Sequence, residues 1–269
     1  MFKIYSIGLC LALTAAIISC KKNELRLTQF ELPADKAYVR FGLFSPNTPA
    51  VMIKVNDVKI NGATTGGNGG FFPSTANFPD YSAIIPISTI KLSLPNTGTA
   101  NDSVVIYSGA LTLEPNKFYA LTLADTTTDR TLFAIEDQIS LADSGFFKLR
   151  IINAMPKSPA VNLIRIDSTS PTVVTRDTIA KNIAYKSASG YITTSISPLA
   201  SNTSTVPVTY YTTLRFRVTN TAGQVLGSGS TSPLAIATSN KRSFTFYTSG
   251  FANGTGTLAP VLTTFIYNK

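Results

Sequence analysis

Short runs in which apolar residues occupy every second position recur along most of the chain. In LRFRVT, residues 214–219, leucine, phenylalanine and valine alternate with two arginines and a threonine. In AYVRFGL, residues 37–43, the odd positions are all apolar. Because successive side chains of a strand point to opposite faces, this alternation predicts strands with one buried face.

Turn-forming residues separate these runs. Glycine, proline, asparagine and aspartate punctuate the chain, and no segment keeps a helical period of apolar residues for three turns. Several short strands with turn signals between them are typical of β-sandwiches rather than of parallel sheets. The sequence therefore predicts an all-β protein.

The chain also repeats itself after 110 residues. The segment AYVRFGLFSPNTPAVMIKVN (37–56) aligns with FKLRIINAMPKSPAVNLIRID (147–167), which places Arg40 on Arg150. An offset of this size is the length of a domain. We predict two tandem β-sandwich domains of immunoglobulin-like or transthyretin-like form, at 37–140 and 146–269.

The run LRIINAMPKSPAVNL (149–163) resembles the opening of the family called domain of unknown function 4397, DUF4397. Members open with a strand that ends in arginine and a small-residue turn, followed by two prolines and a valine-rich strand. The first copy departs from this pattern, with Gly42-Leu43-Phe44 where Ile152-Asn153-Ala154 stand in the second. The resemblance covers both halves and implies an extracytoplasmic β-sandwich, frequent in tandem among Bacteroidota lipoproteins, with no catalytic residues.

The N-terminus has the features of a lipoprotein signal. Lys3 precedes the apolar stretch 4–18, which is shorter than the roughly 20 residues of a permanent membrane helix. Ile17-Ile18-Ser19-Cys20 fits the lipobox, in which the cysteine thiol receives diacylglycerol and the freed amine a further acyl chain such as palmitate. We predict a signal peptide at 1–19, lipid attachment at Cys20 and a tether at 20–36; an ordinary secretory peptide with a chance cysteine is the alternative.

The predicted cleavage also removes Cys10, so the mature chain has no disulfide. The start SCKKNE is similar to that of Bacteroidota lipoproteins exported to the outer face of the outer membrane. We therefore predict an outer-membrane lipoprotein at the cell surface, although a periplasmic orientation stays open.

The composition excludes several kinds of chemistry. The 269 residues contain no histidine, which excludes Ser-His-Asp and Cys-His catalysis and zinc sites built on histidine. The formal charge is +9, but the lysines and arginines are scattered in sequence. We predict a protein that is not an enzyme, has no cofactor or metal and binds no nucleic acid, with mild attraction of its sheet faces to anionic glycans or lipid headgroups.

One loop is unusual. Residues 61–81 are rich in glycine and carry Phe71, Phe72, Phe78 and Tyr81. Loops on rigid sandwiches often carry binding residues, so these aromatics are candidates for contacts with a sugar or peptide. The alternative is that they pack onto the edge of the sandwich.

Five acidic residues lie close together in sequence: Asp125, Asp129, Glu136, Asp137 and Asp143. Paired carboxylates can hydrolyse a glycosidic bond or bind Ca²⁺. Their spacing matches no calcium loop, and the alternative is that they are turn or linker residues.

Four Asp-Ser/Thr sequences resemble the O-glycosylation acceptor of exported Bacteroidota proteins. The candidate acceptors are Ser103, Thr126, Ser168 and Thr178. In a chain so rich in threonine, chance matches are the alternative.

These features together predict a non-catalytic, membrane-anchored extracytoplasmic lipoprotein that serves as a binding or spacer module for a glycan or protein at the cell surface. The alternative is a fimbria-like subunit assembled by strand addition. The C-terminal run LAPVLTTFIYNK (258–269) is then either a donated strand or the last strand of its own sandwich.

Overall fold

A computed structural model describes residues 32–61, 69–73, 81–95, 102–125, 128–138, 140, 142–168, 174–196, 212–226, 234–238 and 241–267. The predicted signal peptide, Cys20 and most of the tether lie outside these residues. The chain is all-β, as predicted, and Ala34–Lys269 forms one compact unit.

The first sandwich consists, within the described residues, of nine strands. They are β1 Ala37–Leu43, β2 Met52–Val55, β3 Val58–Lys59, β4 Gly70–Phe72, β5 Ser82–Ile84, β6 Ile87–Pro95, β7 Asp102–Thr112, β8 Phe118–Ala124 and β9 Thr131–Glu136. One sheet has the order β4-β1-β8-β9, with β5 also paired to β1, and the other has the order β3-β2-β6-β7. The prediction of a sandwich in this half is confirmed.

The second sandwich has nine more strands in the described part of the chain. They are β10 Phe146–Asn153, β11 Val161–Ser168, β12 Val174–Ile183, β13 Ile192–Ser195, β14 Thr212–Asn220, β15 Val225–Leu226, β16 Leu234–Thr238, β17 Ser243–Ser249 and β18 Val261–Tyr267, with a single 3₁₀ turn at Gly256–Leu258. Their sheets have the orders β13-β10-β17-β18 and β12-β11-β14-β15, and β16 also pairs with β14.

The two halves share the same arrangement of strands around one parallel pair. Each contains one parallel pair in an otherwise antiparallel sheet: β1 with β8, and β10 with β17. Each pair lies in the middle of its sheet, flanked by antiparallel neighbours. The repeat seen in the sequence is thus a repeat of strand order, while the domain boundaries at 140 and 146 stay a prediction.

Each sandwich has its own apolar core between its two sheets. In the first, β1 contributes Val39 and Phe41, which pack with Ile53 of β2 and Ile90 of β6. In the second, Leu149 and Ile151 of β10 pack with Leu163, Phe216 and Phe246. Alternation along the strands delivers these side chains to one face, and burial of that face is the main stabilising contribution.

Strand β14 buries one face, as its alternation predicts. Leu214, Phe216 and Val218 are at most 3% exposed, whereas Arg215 is exposed.

Strand β1 differs from the sequence prediction, which gave it one buried face. All seven of its residues are buried. Its odd positions enter the core of the first sandwich, whereas Tyr38 and Arg40 lie on the opposite face, at 2% and 0% exposure. The second face of β1 is buried because further parts of the chain pack against it.

The C-terminal run forms β18, which pairs antiparallel with β17 over seven residue pairs from Ser243↔Tyr267 to Ser249↔Val261. It therefore completes the sheet of its own sandwich in this structure.

Candidate functional site

A third buried cluster joins the two sandwiches, and we call it the seam. Its fully buried members are Phe44, Ala120, Ala124, Ile152, Ala154 and Tyr247, and the partly buried residues packed on them are Phe71, Tyr81, Phe133, Ile135, Tyr185 and Ala188. Both sandwiches contribute side chains. The seam therefore lies where the outer faces of the β1–β8 and β10–β17 pairs meet.

Three aromatic rings form the apolar part of the seam. Phe44 of the first sandwich stacks on Tyr247 of the second, with ring centroids 4.5 Å apart and planes 15° from parallel. Phe71 meets both rings edge-on, at 5.4 Å from Phe44 and 5.5 Å from Tyr247. Such aromatic contacts contribute about 0.5–1.5 kcal/mol each beyond their buried area.

Gly42 provides room for this stack. A Cβ added at Gly42 would lie 2.6 Å from Cε2 of Phe44 and 3.5 Å from the Phe71 ring. The corresponding residue of the second copy is Ile152, which is followed two positions later by the small Ala154. The departure of Gly42-Leu43-Phe44 from the family pattern thus has a packing reason, since a large Phe44 needs a small residue beside it.

We expect Gly42→Ala to destabilise the protein by about 1–3 kcal/mol, because the new methyl forces the Phe44 ring out of its stacked position. Thermal unfolding measures the change. Gly190→Ala is the matched control, since a Cβ at Gly190 meets nothing within 4 Å. Equal melting temperatures for the two variants would contradict the packing role of Gly42.

Asp137 forms the polar part of the seam. Its Oδ2 accepts a hydrogen bond from the hydroxyl of Tyr81 at 2.8 Å, and its Oδ1 accepts one from the hydroxyl of Tyr191 at 2.7 Å. Nη2 of Arg150 lies 2.9 Å from Oδ1, as a close ion pair rather than an aligned hydrogen bond. One carboxylate thus bonds a tyrosine from each sandwich.

The guanidinium of Arg150 is itself held from several sides. Its Nη1 donates to the backbone carbonyl of Glu136 at 2.9 Å, and its Nε donates to Oγ1 of Thr245 at 3.2 Å. The side chains of Arg150 and Asp137 are 3% and 0% exposed. A buried ion pair needs such additional hydrogen bonds to offset the desolvation of its charges.

The same pairing of arginine with tyrosine occurs in both sandwiches. The guanidinium of Arg40 lies over the Tyr81 ring, 4.5 Å from its centroid, and that of Arg150 lies over the Tyr191 ring at 4.8 Å. Tyr191 follows Tyr81 by the same 110 residues that separate Arg150 from Arg40. This offset was the signal in the sequence that could have identified Tyr191, which the sequence analysis missed.

Asp125 makes a second polar contact across the seam. Its Oδ2 accepts a hydrogen bond from the hydroxyl of Tyr185 at 3.0 Å, and its backbone carbonyl accepts one from Oγ of Ser45 at 2.9 Å. Burial, together with the negative charge of Asp125, raises the pKa of Tyr185 above its ordinary value. The phenol therefore stays protonated and continues to donate through the physiological range.

The side chains of the other three acids of the sequence cluster have different surroundings from those of Asp125 and Asp137. Glu136 pairs with Lys117 at 3.2 Å; Asp129 and Asp143 are exposed, and the backbone carbonyl of Asp143 accepts a turn hydrogen bond from Phe146. No group of three or more acidic or cysteine residues in the described ranges is placed to hold a metal ion.

The contacts at this site hold the two sandwiches together. Both oxygens of Asp137 already accept hydrogen bonds from the protein, and its side chain is fully buried. These contacts engage the carboxylate of Asp137 with Tyr81, Tyr191 and Arg150 of the chain itself. The arrangement fixes the two sandwiches against each other.

The aromatics of the Gly-rich loop are half-buried where they are described. Phe71 packs in the seam, Phe72 packs against the core of the first sandwich, and Tyr81 lies between Arg40 and Asp137. Phe78 lies outside the described residues. The structure thus brings Phe71 and Tyr81 into the seam, and a ligand contact by any of the four stays a prediction.

The candidate glycosylation residues lie in three different strands. Ser103 is in β7, Ser168 ends β11, and Thr178 is a half-buried residue of β12. Thr126 lies outside the described residues, and use of these acceptors stays a prediction.

Within the described part of the chain, no helix has the length and apolar character needed to cross a bilayer.

Residues 37–164 match the model of a family described as a domain of unknown function, DUF4397. This part of the chain belongs to that family. The DUF4397 match begins at Ala37 and runs through the first sandwich into β11, so the resemblance inferred from the sequence is confirmed. Among proteins with curated functions, none matches the chain.

Two solved structures overlap most of the chain at low similarity. A protein of Bacteroides uniformis with an ascribed role in cell adhesion is 8% identical and covers 88% of this chain and 99% of its own, with a TM-score of 0.23. The C-terminally truncated tip fimbrial protein Mfa3 of Porphyromonas gingivalis is 10% identical and covers 86% and 99%, with a TM-score of 0.25. Scores this low support no inference about this chain.

Proposed function

We propose that the protein is a non-catalytic extracytoplasmic lipoprotein, anchored through Cys20, that acts as a binding or spacer module at the cell surface. The observation that carries the proposal is the seam, in which Asp137 accepts hydrogen bonds from Tyr81 and Tyr191 and lies against Arg150. A buried network of this kind fixes the orientation of the two sandwiches, which a spacer or binding module requires.

Such a module needs a membrane anchor and a surface that can bind a ligand, and we propose that this chain supplies both. The lipobox supplies a membrane anchor, because two or more acyl chains bind a bilayer stably. The sandwiches supply strands and loops beyond the tether on which a glycan or protein ligand can be bound. The partner proposed here is therefore an extracellular glycan or protein, with the outer membrane as the site of anchoring.

We expect Cys20→Ser to abolish incorporation of labelled palmitate in cells and to release the chain from the membrane fraction, because the thioether to diacylglycerol needs the thiol. Cys10→Ser is the matched control, since Cys10 lies in the predicted signal peptide, and it should keep both labelling and membrane association. Protease treatment of intact cells then shows whether the body faces outward.

Unlabelled wild-type protein, or equal membrane association of the two variants, would contradict the anchored module. If the protein is fully protected from protease in intact cells and is degraded after lysis, its body faces the periplasm and not the cell surface.

A second candidate is a fimbria-like subunit, and one observation favours it. Strand β7 is eleven residues long and lies at the edge of its sheet, with Val104 and Val105 exposed at 53% and 51%. A long exposed edge can accept a strand from another chain. Polymers in membrane extracts that disappear on deletion of residues 261–269, with soluble monomer retained, would favour this candidate over the spacer.

A further inference from the structure

The outer face of the sheet β12-β11-β14 gathers arginines that are far apart in sequence. Ile166 of β11 pairs with Arg176 on one side and Arg215 on the other. Two residues earlier in β11, Ile164 pairs with Thr178 and Arg217. We call Arg176, Arg215, Arg217, Ile164 and Ile166 the arginine face.

The alternation of the strands places this set on the side away from the core. Leu163 and Phe216 pack in the core of the second sandwich, so their neighbours in β11 and β14 point outward. Arg176 and Arg215 are exposed and Arg217 is half-buried, whereas Ile166 between them is 8% exposed. Long arginine side chains commonly lay their aliphatic stems on apolar surface of this kind while the charged end stays in water.

Among the side chains that the structure describes, no carboxylate forms an ion pair with Arg176, Arg215 or Arg217. Like charges this close repel one another, which opposes the folded state rather than supporting it. Lys91 on the outer face of the first sandwich differs, because it pairs with Asp57 at 2.5 Å. The arginine face therefore presents two exposed cations, Arg176 and Arg215, beside the half-buried Arg217, whose Nε is itself buried.

The spacing and chemistry of the three guanidinium groups suit a chain of anions. Strands lie about 4.8 Å apart, so Arg176 and Arg215 start about 10 Å apart, and Arg217 lies about 7 Å along the strand from Arg215. Guanidinium forms paired hydrogen bonds with carboxylate and sulfate groups. A sheet face with cations at such intervals matches an extended polymer that bears an anionic group on successive or alternate units.

We infer that the arginine face binds an acidic polysaccharide with carboxylate or sulfate groups, an inference that rests on the proposed role as a surface binding module. Charge complementarity assigns the polymer to this face. An anionic membrane is a poorer occupant, because strong interfacial binding adds buried apolar area to electrostatic attraction and Ile166 is only 8% exposed.

The test uses the full exported chain and immobilised alginate, chondroitin sulfate and neutral dextran, with binding measured at low and at physiological ionic strength. The triple variant Arg176→Gln/Arg215→Gln/Arg217→Gln is compared with Lys54→Gln/Lys59→Gln/Lys91→Gln. Both remove three positive charges from the outer face of a sheet, and Lys59, Lys54 and Lys91 are cross-strand neighbours in the first sandwich. Melting temperatures confirm that both variants fold.

We expect the wild-type chain to bind at least one acidic polymer and not dextran, with affinity that falls as salt rises. The arginine variant should lose about tenfold or more, since three charge-assisted contacts disappear. The lysine variant should stay within about twofold, because it lowers only the net charge.

Equal losses in the two variants would overturn the inference, because net charge alone would then explain binding. Binding to phosphatidylglycerol vesicles without binding to either acidic polymer would also overturn it. Wild-type protein that binds dextran or a protein, but no acidic polymer, would overturn the arginine face and leave the proposed module intact. Loss of the lipid anchor in cells would instead overturn the module and leave polymer binding by the purified chain unaffected.

Discussion

Asp137→Ala should lower the free energy of unfolding by about 3–5 kcal/mol, the usual effect of removing one partner from a buried ion pair. The substitution removes the carboxylate that lies against the buried Arg150 and that accepts hydrogen bonds from the hydroxyls of Tyr81 and Tyr191. Because these groups belong to both sandwiches, the loss weakens the seam as well as one sheet. Urea unfolding followed by circular dichroism gives the free energy.

Asp35→Ala is the matched control for this variant. Asp35 pairs with Lys36 at the surface, where the side chains are 71% and 34% exposed. Exposed pairs contribute about 0–1 kcal/mol, so the control should unfold almost as the wild type does. If Asp137→Ala costs no more than Asp35→Ala, Asp137 does not stabilise the seam.

Asp137→Asn separates charge from hydrogen bonding. The amide oxygen can still accept one tyrosine hydroxyl, while the Coulomb attraction to Arg150 disappears. We therefore expect a stability between that of wild type and that of Asp137→Ala.

Phe44→Ala is the second change with a large expected effect. Phe44 is fully buried and stacked on Tyr247, so its removal leaves a cavity between the two sandwiches. Removal of a buried phenylalanine costs about 3–5 kcal/mol, and the cost grows with the cavity that remains. Calorimetry should show a lower melting temperature.

Phe146→Ala provides the same chemical change at the surface, since Phe146 is 40% exposed. Its effect should be about 1 kcal/mol or less, as for other substitutions at exposed positions away from special features. A melting temperature of Phe44→Ala within error of Phe146→Ala would show that the sandwiches do not depend on the seam.

If both seam variants keep the two cores intact, unfolding should become less cooperative. The seam couples two sandwiches that each have a separate apolar core. Weakening only the coupling lets each half unfold at its own temperature, and a single two-state transition then splits.

Local pattern was sufficient to predict the strands. The alternation in residues 37–43 and 214–219 identified β1 and β14, because the period of side chains along a strand is set by the backbone itself. The offset of 110 residues between Arg40 and Arg150 anticipated the repeated strand order. The opening of the DUF4397 family was visible for the same reason, as it is a contiguous run of residues.

The site was predicted only in pieces. Phe71 and Tyr81 were singled out as loop aromatics and Asp137 as one of several acids, yet their meeting point was not visible. Arg150 lies 95 residues from Thr245, and Tyr191 lies 54 residues from Asp137. Such contacts depend on how the two sandwiches pack.

The sequence by itself indicated the alternating strands, the repeat and the lack of histidine, and it predicts a lipobox, because each depends on neighbouring residues or on composition. Tertiary structure alone decided that both faces of β1 are buried, why Phe44 in one copy corresponds to Ala154 in the other, and which arginines share a face. The physical reason is that packing and strand register join residues remote along the chain, and one large ring can fill the space between two copies only if its counterpart is small.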